Sequence, residues 1–382
     1  MTDGPTGSRE LIVDVPGTPA DSYDVRFEAG GLGRLGEIVS EHVPAHRYAV
    51  IADSRVAQAH GETAMAALSR AGADAELFTF PAGEWNKTRE VWAELSDRML
   101  AAGFGRDAVI LGLGGGVTGD LAGFAAATYM RGVPVVQVPT SLLAMLDSSV
   151  GGKTGVDTGA GKNLVGAFHH PRFVLIDTRL LSTLPRLQRS AGLAEAVKTA
   201  AILDEPLLDW LEANSEALLE GDPGPTEDAV RRVLGHKASV VSLDPGERGR
   251  RAILNFGHTV GHAIELLGGY EILHGEAVAA GMRAEAALGE RLGVTAEGTA
   301  ERLAGALEAC ALDRPLEHER PPAEIWEAMR ADKKRRGGEL RCVFLERPGS
   351  VARAEDGEFT FELAAETGAG LIADVLGRAH EG

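Results

Sequence analysis

The stretch DAVILGLGGGVTGDLAGFAAATYMRG, residues 107–132, decides how the chain reads. Its first part is a strand-like apolar run that ends in glycines, and a helix follows. Gly114, Gly116 and Gly119 satisfy the spacing G-x-G-x-x-G. Glycines at those points let a backbone approach a pyrophosphate, and a helix start offers free N–H groups and a positive dipole end. Alone the pattern is weak, because glycine-rich strand–helix turns also serve plain packing.

The same alternation extends to both sides. YAVIAD (48–53), AELFTFP (75–81), PVVQVPTS (134–141) and RFVLID (172–177) read as buried strands separated by helical stretches. Strands alternating with helices imply a parallel, doubly wound sheet. After TLPR (183–186) strands nearly vanish, and residues 190–332 read as successive helices, with LRCVFLE (340–346) as one late strand. The expected organisation is a loose arm over 1–20, an α/β domain over 21–186, and an all-α domain over 187–382.

Composition narrows the function. The 382 residues carry a net charge of −18, which argues against nucleic acid or an anionic membrane as partner. No run of 18 apolar residues exists, and the start MTDGPTGSRE has no signal-peptide character. Two cysteines suit a reducing cytosol, so a cytoplasmic location is expected. Only seven basic residues are Lys: Lys87, Lys153, Lys162, Lys198, Lys237, Lys333 and Lys334. Arg replaces Lys on a surface, but not where a compact ammonium is needed.

Three further segments carry chemistry. DSSVGGKTGVDTGAGKN (147–163) is a glycine-rich polar loop by composition, and it holds Asp147, Lys153, Lys162 and Asn163. Amines beside backbone N–H groups can bind phosphate or carboxylate oxygens. GLAEAVK (192–198) puts Glu195 and Lys198 on one helix face, and NFGHTVGHAIE (255–265) does the same for His258 and His262. His274 opens the next helix. Two histidines and a carboxylate make a divalent-metal site, although the spacing leaves open which two histidines ligate. Lys237, Arg251 and Asn255 lead into the histidine segment, and DKKRRGG (332–338) follows later, a run that alone reads as a solvated face.

Together the motifs GGGVTGDLAGFAAATYMRG, VPTSLLAMLDSSVGGKTGVD, GKNLVGAF, LAEAVK, LNFGHTVGHAIE, HGEAVAAGM and DKK resemble the 3-dehydroquinate synthase family, within the sugar phosphate cyclases. The resemblance covers roughly residues 45–350. It implies a Rossmann-like NAD-binding α/β domain, a helical metal- and substrate-binding domain with the active site in the cleft between them, and a homodimer. It implies NAD reduced and re-oxidised within each turnover, and a bound zinc or cobalt ion. The implied reaction converts 3-deoxy-D-arabino-heptulosonate 7-phosphate to 3-dehydroquinate and phosphate, the second step of the shikimate pathway to chorismate.

Carried over by position, the resemblance implies Glu195, His258 and His274 as metal ligands, with His262 moving a proton and touching phosphate. The implied NAD contacts are Asp53, Glu84, Lys87, Gly115, Gly116, Val117, Thr118, Gly119, Asp120, Thr140, Ser141, Lys153, Lys162, Leu180, Leu181, Ser182 and Thr183. The implied substrate shell is Asp147, Lys153, Asn163, Lys198, Lys237, Glu247, Arg251, Asn255 and Lys334, with Arg131 reaching the phosphate from the partner subunit. Ser141 departs from the family's usual Thr, as do the His169–His170 pair and Thr199 from theirs. The competing readings are a sister cyclase, aminodehydroquinate synthase above all, and an NAD- and metal-dependent polyol dehydrogenase. SSVGGKT and His262 favour dehydroquinate synthase over the valiolone and inosose cyclases.

Overall fold

The structure is a computed structural model that describes residues 10–13, 22–159, 161–247, 249–269, 271–313, 321–335, 340–363 and 370. Two compact units divide the chain: Met1–Pro185 with Thr226–Ser242, and Arg186–Pro225 with Leu243–Gly382.

The first unit is built on a seven-stranded sheet. Its strands are β1 (Glu10–Val13), β2 (Tyr23–Phe27), β3 (Arg47–Asp53), β4 (Ala75–Phe80), β5 (Ala108–Gly114), β6 (Val135–Pro139) and β9 (Phe173–Ile176). Their order is β1-β2-β9-β6-β5-β3-β4, parallel except for β1 against β2. All seven residues of β5 are buried, as expected of a strand covered on both faces. Phe78, Phe80, Leu95, Met99, Phe104, Ile110, Leu121 and Phe124 fill one layer against it. Pairing Ile51 with Gly112, and Gly114 with Pro139, brings the carboxyl ends of β3, β5 and β6 together. Ligands of open α/β sheets bind at that edge.

Three expectations need correction here. Residues 10–13, expected in the loose arm, pair with β2; positions 1–9 and 14–20 lie outside the described residues. The polar segment 147–163 is not a loop throughout. Lys153–Thr158 (β7) and Gly161–Phe168 (β8) form an antiparallel hairpin, in which a side chain at Gly166 would overlap the Thr154 carbonyl. A single boundary at 186 also fails, because Thr226–Ser242 belongs with the sheet unit. The reason is contact chemistry: Arg231 stacks 3.8 Å over the Phe27 ring, and Lys237 pairs with Asp147.

The second unit is mainly helical, with helices Arg186–Leu203, His258–Leu267 and His274–Arg291 at its centre. The one late strand expected at 340–346 is two. Arg341–Cys342 (β10) pairs with Phe361–Glu362 (β13), and Leu345–Arg347 (β11) pairs with Ser350–Val351 (β12) through a turn at Gly349. Taking different partners breaks the run between them. No helix among the described residues is long and apolar enough to cross a membrane.

Glycine sets how closely the central helices pack. A Cβ at Gly275 would overlap the Ala191 carbonyl, and one at Gly281 would overlap the Gly257 carbonyl. Gly257 heads the His258 helix with φ 79° and no capping side chain. The carboxylate of Glu285, from the His274–Arg291 helix, caps it instead. It accepts N–H bonds from Gly257 at 2.7 Å and Val260 at 3.1 Å.

Two outcomes test this packing. Gly281→Ala should lose about 3 kcal/mol of stability in urea unfolding, because backbone opposes the new methyl; a loss below about 1 kcal/mol would contradict the close approach. Burial pushes the Glu285 carboxyl up to about 8 from the usual 4.5, against the pull of its backbone donors. A raised carboxyl favours the fold below its unfolded value, and that contribution fades as pH rises to about 8. Wild type should therefore lose stability relative to Glu285→Gln across that window, at up to about 1.4 kcal/mol per pH unit. A stability difference independent of pH would refute it.

Candidate active site

In the sheet unit, the turn after β5 enters the helix Gly116–Thr128, whose N-cap Gly115 has no capping side chain. Gly116, Val117 and Thr118 therefore form a first turn whose N–H groups lack intrahelical partners. Cβ atoms at Gly115 and Gly116 would come within 3.2 Å of Ser141 Oγ and 3.3 Å of Ser148 Oγ. Gly119 packs the helix on β6, where Gln137 Nε2 donates to its carbonyl at 3.1 Å. Thr140 donates its N–H to the Gly114 carbonyl at 2.9 Å, and Ser141 Oγ accepts from Ala144 N–H at 3.3 Å. Asp53 ends β3 and caps the next turn through Arg55 and Val56, with Thr118 Oγ1 at 3.5 Å.

Around the same edge lies a charged set. Lys87 is buried, 2.6 Å from Asp120 and 3.8 Å from Glu84, while Lys162 is 3.7 Å from Glu84. Burial works against the Lys87 charge, but Asp120, Glu84 and Asp157 outweigh it and hold the ammonium protonated. Asp157, which the sequence reading missed, is buried and accepts the N–H of Asn163 at 2.8 Å. Asn163 needs that anchor, since its φ is 54°. Leu180, Leu181, Ser182 and Thr183 form a 3-10 turn capped by Asp177. Thr183 Oγ1 lies 3.0 Å from Nε2 of His60, a second residue missed from sequence. His169, one of the departures from the family pattern, has Nε2 2.9 Å from the Val133 carbonyl.

The substrate-shell residues fall into both units. Lys237 is buried in the first, and its ammonium donates to the Asp147 carbonyl at 2.7 Å and carboxylate at 2.5 Å. Lys153 opens β7 and is exposed. Arg131 is exposed in a strained turn, where Met130, Arg131 and Gly132 all have positive φ. In the second unit Arg251 is buried, with Nη1 donating to the Pro245 carbonyl at 2.8 Å. Asp244, also missed, ties that loop by accepting from the N–H groups of Gly249 and Arg251. Asn255 Nδ2 donates to Glu247 at 3.1 Å. Lys334 belongs to the helix Pro322–Arg335, but its side chain lies outside what the structure describes.

The metal-like set is gathered in the second unit. Glu195, 1% exposed, sits in the middle of Arg186–Leu203 and pairs with Lys198 one turn on. His258 Nε2 and His274 Nε2 lie 3.5 and 3.6 Å from the same Glu195 oxygen. The ligand atoms of these three residues all fall within 4.8 Å of one another. Apart from the Lys198 ion pair, neither buried Glu195 oxygen has a hydrogen-bond partner among the described residues, which suits a cation ligand. Burial opposes the Glu195 charge, but Lys198 and then the two imidazoles hold its carboxyl well below the usual range. Burial and the Lys198 charge keep His258 neutral. Burial works against a charge on His274, but Glu195 and Glu265 push its pKa up to about 10. A charged carboxylate, a neutral imidazole and a proton held between two carboxylates form a donor set in which a divalent cation competes with that proton. His262 stands beside them, exposed, its ring centroid 5.1 Å from that of His258.

The chain also matches known proteins over most of its length. The family model for the 3-dehydroquinate synthase N-terminal domain matches residues 77–191, and that for the C-terminal domain matches 192–335. The 3-dehydroquinate synthase of Symbiobacterium thermophilum is 46% identical over 338 residues, covering 88% of this chain and 94% of that protein. Among solved structures, 2-deoxy-scyllo-inosose synthase in complex with carbaglucose-6-phosphate, NAD+ and Co2+ superposes with TM-score 0.85 at 30% identity, covering 97% of this chain and 99% of that one. The 2-epi-5-epi-valiolone synthase of Streptomyces hygroscopicus subsp. jinggangensis 5008, with NAD+ and Zn2+ bound, gives 0.84 at 28% identity, covering 96% and 99%. By its sequence, over nearly its whole length, the chain belongs to the 3-dehydroquinate synthase family.

Proposed function

We propose that this enzyme converts 3-deoxy-D-arabino-heptulosonate 7-phosphate to 3-dehydroquinate and phosphate, using NAD and a divalent cation. The observation that carries the reading is the convergence of His258 and His274 on the buried Glu195, with Lys198 on its carboxylate. The glycine turn at Gly115–Gly116, with the Lys87–Asp120 pair beside it, fits a dinucleotide. When bound, NAD supplies hydride transfer and the divalent cation supplies Lewis acidity.

The chain's own residues do the rest. Glu195, His258 and His274 would hold the cation, and the N–H groups of Gly116 and Val117 would face the pyrophosphate. Lys198 and Lys237 are ammonium groups anchored by carboxylates, so each presents its charge at a fixed point without planar demands. That suits a tetrahedral phosphate that must be gripped and then released. Arg251, with one arm tied to Pro245, offers the planar fork that matches a carboxylate. Asn255 is oriented by Glu247 and keeps its amide oxygen as an acceptor for a hydroxyl. His262 can move a proton between solvent and the bound sugar.

The test is phosphate release from the heptulosonate phosphate and from its amino analogue, with NADH followed by absorbance. One phosphate should appear per substrate with no accumulation of NADH. Chelation or His274→Ala should lower the rate at least about 100-fold, with zinc or cobalt restoring the chelated wild type. Net NADH formation would mean a polyol dehydrogenase, and preference for the analogue would mean the sister cyclase.

We also infer a homodimer. Strand β8 pairs only with β7 among the described residues and exposes Leu164, Val165 and Phe168, the last 56% exposed. A short apolar edge of this kind suits a second copy of the chain. Light scattering should give twice the chain mass, and Phe168→Glu should shift the population toward monomer. A monomeric wild type at micromolar concentration would refute it.

A further inference from the structure

We propose that Glu265 is a positioning residue for the metal set: its carboxylate accepts Nδ1–H of His274 and so turns Nε2 of that ring toward Glu195 and the cation. The inference rests on the reading that Glu195, His258 and His274 hold the cation. Glu265 was not among the residues singled out from sequence.

The two nitrogens of His274 face two different carboxylates. Nε2 lies 3.6 Å from Glu195 Oε1, and Nδ1 lies 3.4 Å from Glu265 Oε2. A neutral imidazole has one N–H and one lone pair, and an ionised carboxylate can only accept. With a cation held at Glu195, the hydrogen that stays on the ring is the one Glu265 accepts from Nδ1, and the lone pair falls on Nε2. His258 follows the same rule with a different acceptor. Its Nδ1 lies 3.2 Å from the Phe256 carbonyl and its Nε2 3.5 Å from Glu195 Oε1. Both histidines thus spend Nδ1 on an oxygen behind the ring and aim Nε2 at one shared point. The acceptors differ in strength: a carboxylate makes its imidazole the more basic ligand and orients it more firmly.

The setting of Glu265 points the same way. It is buried, one turn on from Gly261 and His262 in its helix, where an acid is costly unless partners hold it. His274 opens the next helix, only nine positions further along the chain. Glu265 thereby fixes the first residue of one ligand-bearing helix against the last turns of the other. A different use is open to the same atoms, because His262, Glu265 and His274 also bring ligand atoms within 4.8 Å of one another. A cation there would need Nδ1 of His274 as ligand. With Nε2 already on the first cation, the ring would have to give up both hydrogens, which makes the positioning role the favoured one.

The experiment is metal binding, not turnover. Zn2+ affinity is measured by chelator competition on the full chain, for wild type, Glu265→Gln and His274→Ala, with the Co2+ absorption spectrum as a second readout. Glu265→Gln should bind one ion per chain about 10- to 100-fold more weakly, with an altered Co2+ spectrum, and His274→Ala should bind far more weakly still. If His274→Ala loses affinity while Glu265→Gln stays within twofold of wild type, the positioning role is overturned and the metal reading stands. If neither variant changes affinity, the metal reading itself falls. A second ion in wild type that Glu265→Gln loses would make Glu265 a ligand and also overturn the proposal. Nitrogen-15 spectra of the zinc-bound wild type decide the matter without any variant: the His274 hydrogen should be on Nδ1, and a hydrogen on Nε2 would refute the assignment.

Discussion

Burying one carboxylate organises the second unit. Glu195 sits in a helix whose residues from Arg189 to Ile202 are nearly all buried, so no face of it can turn an acid toward water. A carboxylate in such a place is costly unless cations or donors gather on it. Lys198 comes from the same helix, one turn on, and His258 and His274 come from the first positions of two others. The glycines make that convergence possible. Side chains at Gly275 or Gly281 would push backbone against backbone and separate the three helices. Chemistry and packing are therefore the same constraint: the helices approach as closely as they do because small residues stand at their crossings, and that approach leaves a buried acid surrounded by nitrogen.

The first unit solves a different problem by the same economy. The turn between β5 and its helix has no side chain to cap it, and an uncapped helix start of this kind leaves N–H groups that suit an anion. The nearby Lys87 is buried, yet stays charged because carboxylates surround it. Of the five lysines whose side chains the structure describes, Lys87, Lys198 and Lys237 are buried, and each is paired with an acid. Lysine is seldom buried without such a partner. In a chain where arginine supplies most of the positive charge, these three lysines stand where a small ammonium must sit in a confined place.

Much of this could be read beforehand. The strands were legible because each is a short, doubly buried apolar run, and β5 with its glycines announced both the sheet and the glycine turn that follows it. Glu195, Lys198, His258, His262 and His274 stood out because rare polar types recur at helical spacing. Asp157, His60, Asp244, Glu265 and Glu285 did not, although each holds another candidate residue or its helix in place. Their signal is weak for a common reason. Each acts on a partner supplied by another turn or element, and an acid within an amphipathic pattern looks like any solvated residue until its burial is known. The hairpin at 153–168 was hidden likewise, since glycine and polar residues read as loop until backbone pairing joins them.

The residues alone determined the alternation of strand and helix, the change of character near 186, the family, and which side chain types carry the chemistry. These are local or cumulative properties, set by apolar periodicity and by motifs of fixed spacing. Tertiary structure alone decided that Thr226–Ser242 returns to the sheet unit, that Lys237 is anchored on Asp147, and that both histidine Nε2 atoms meet one oxygen of Glu195. It also decided which nitrogen of each ring is turned toward that point. Such outcomes depend on distances between residues far apart in the chain, and spacing along a sequence does not encode the direction in which a ring or a carboxylate faces.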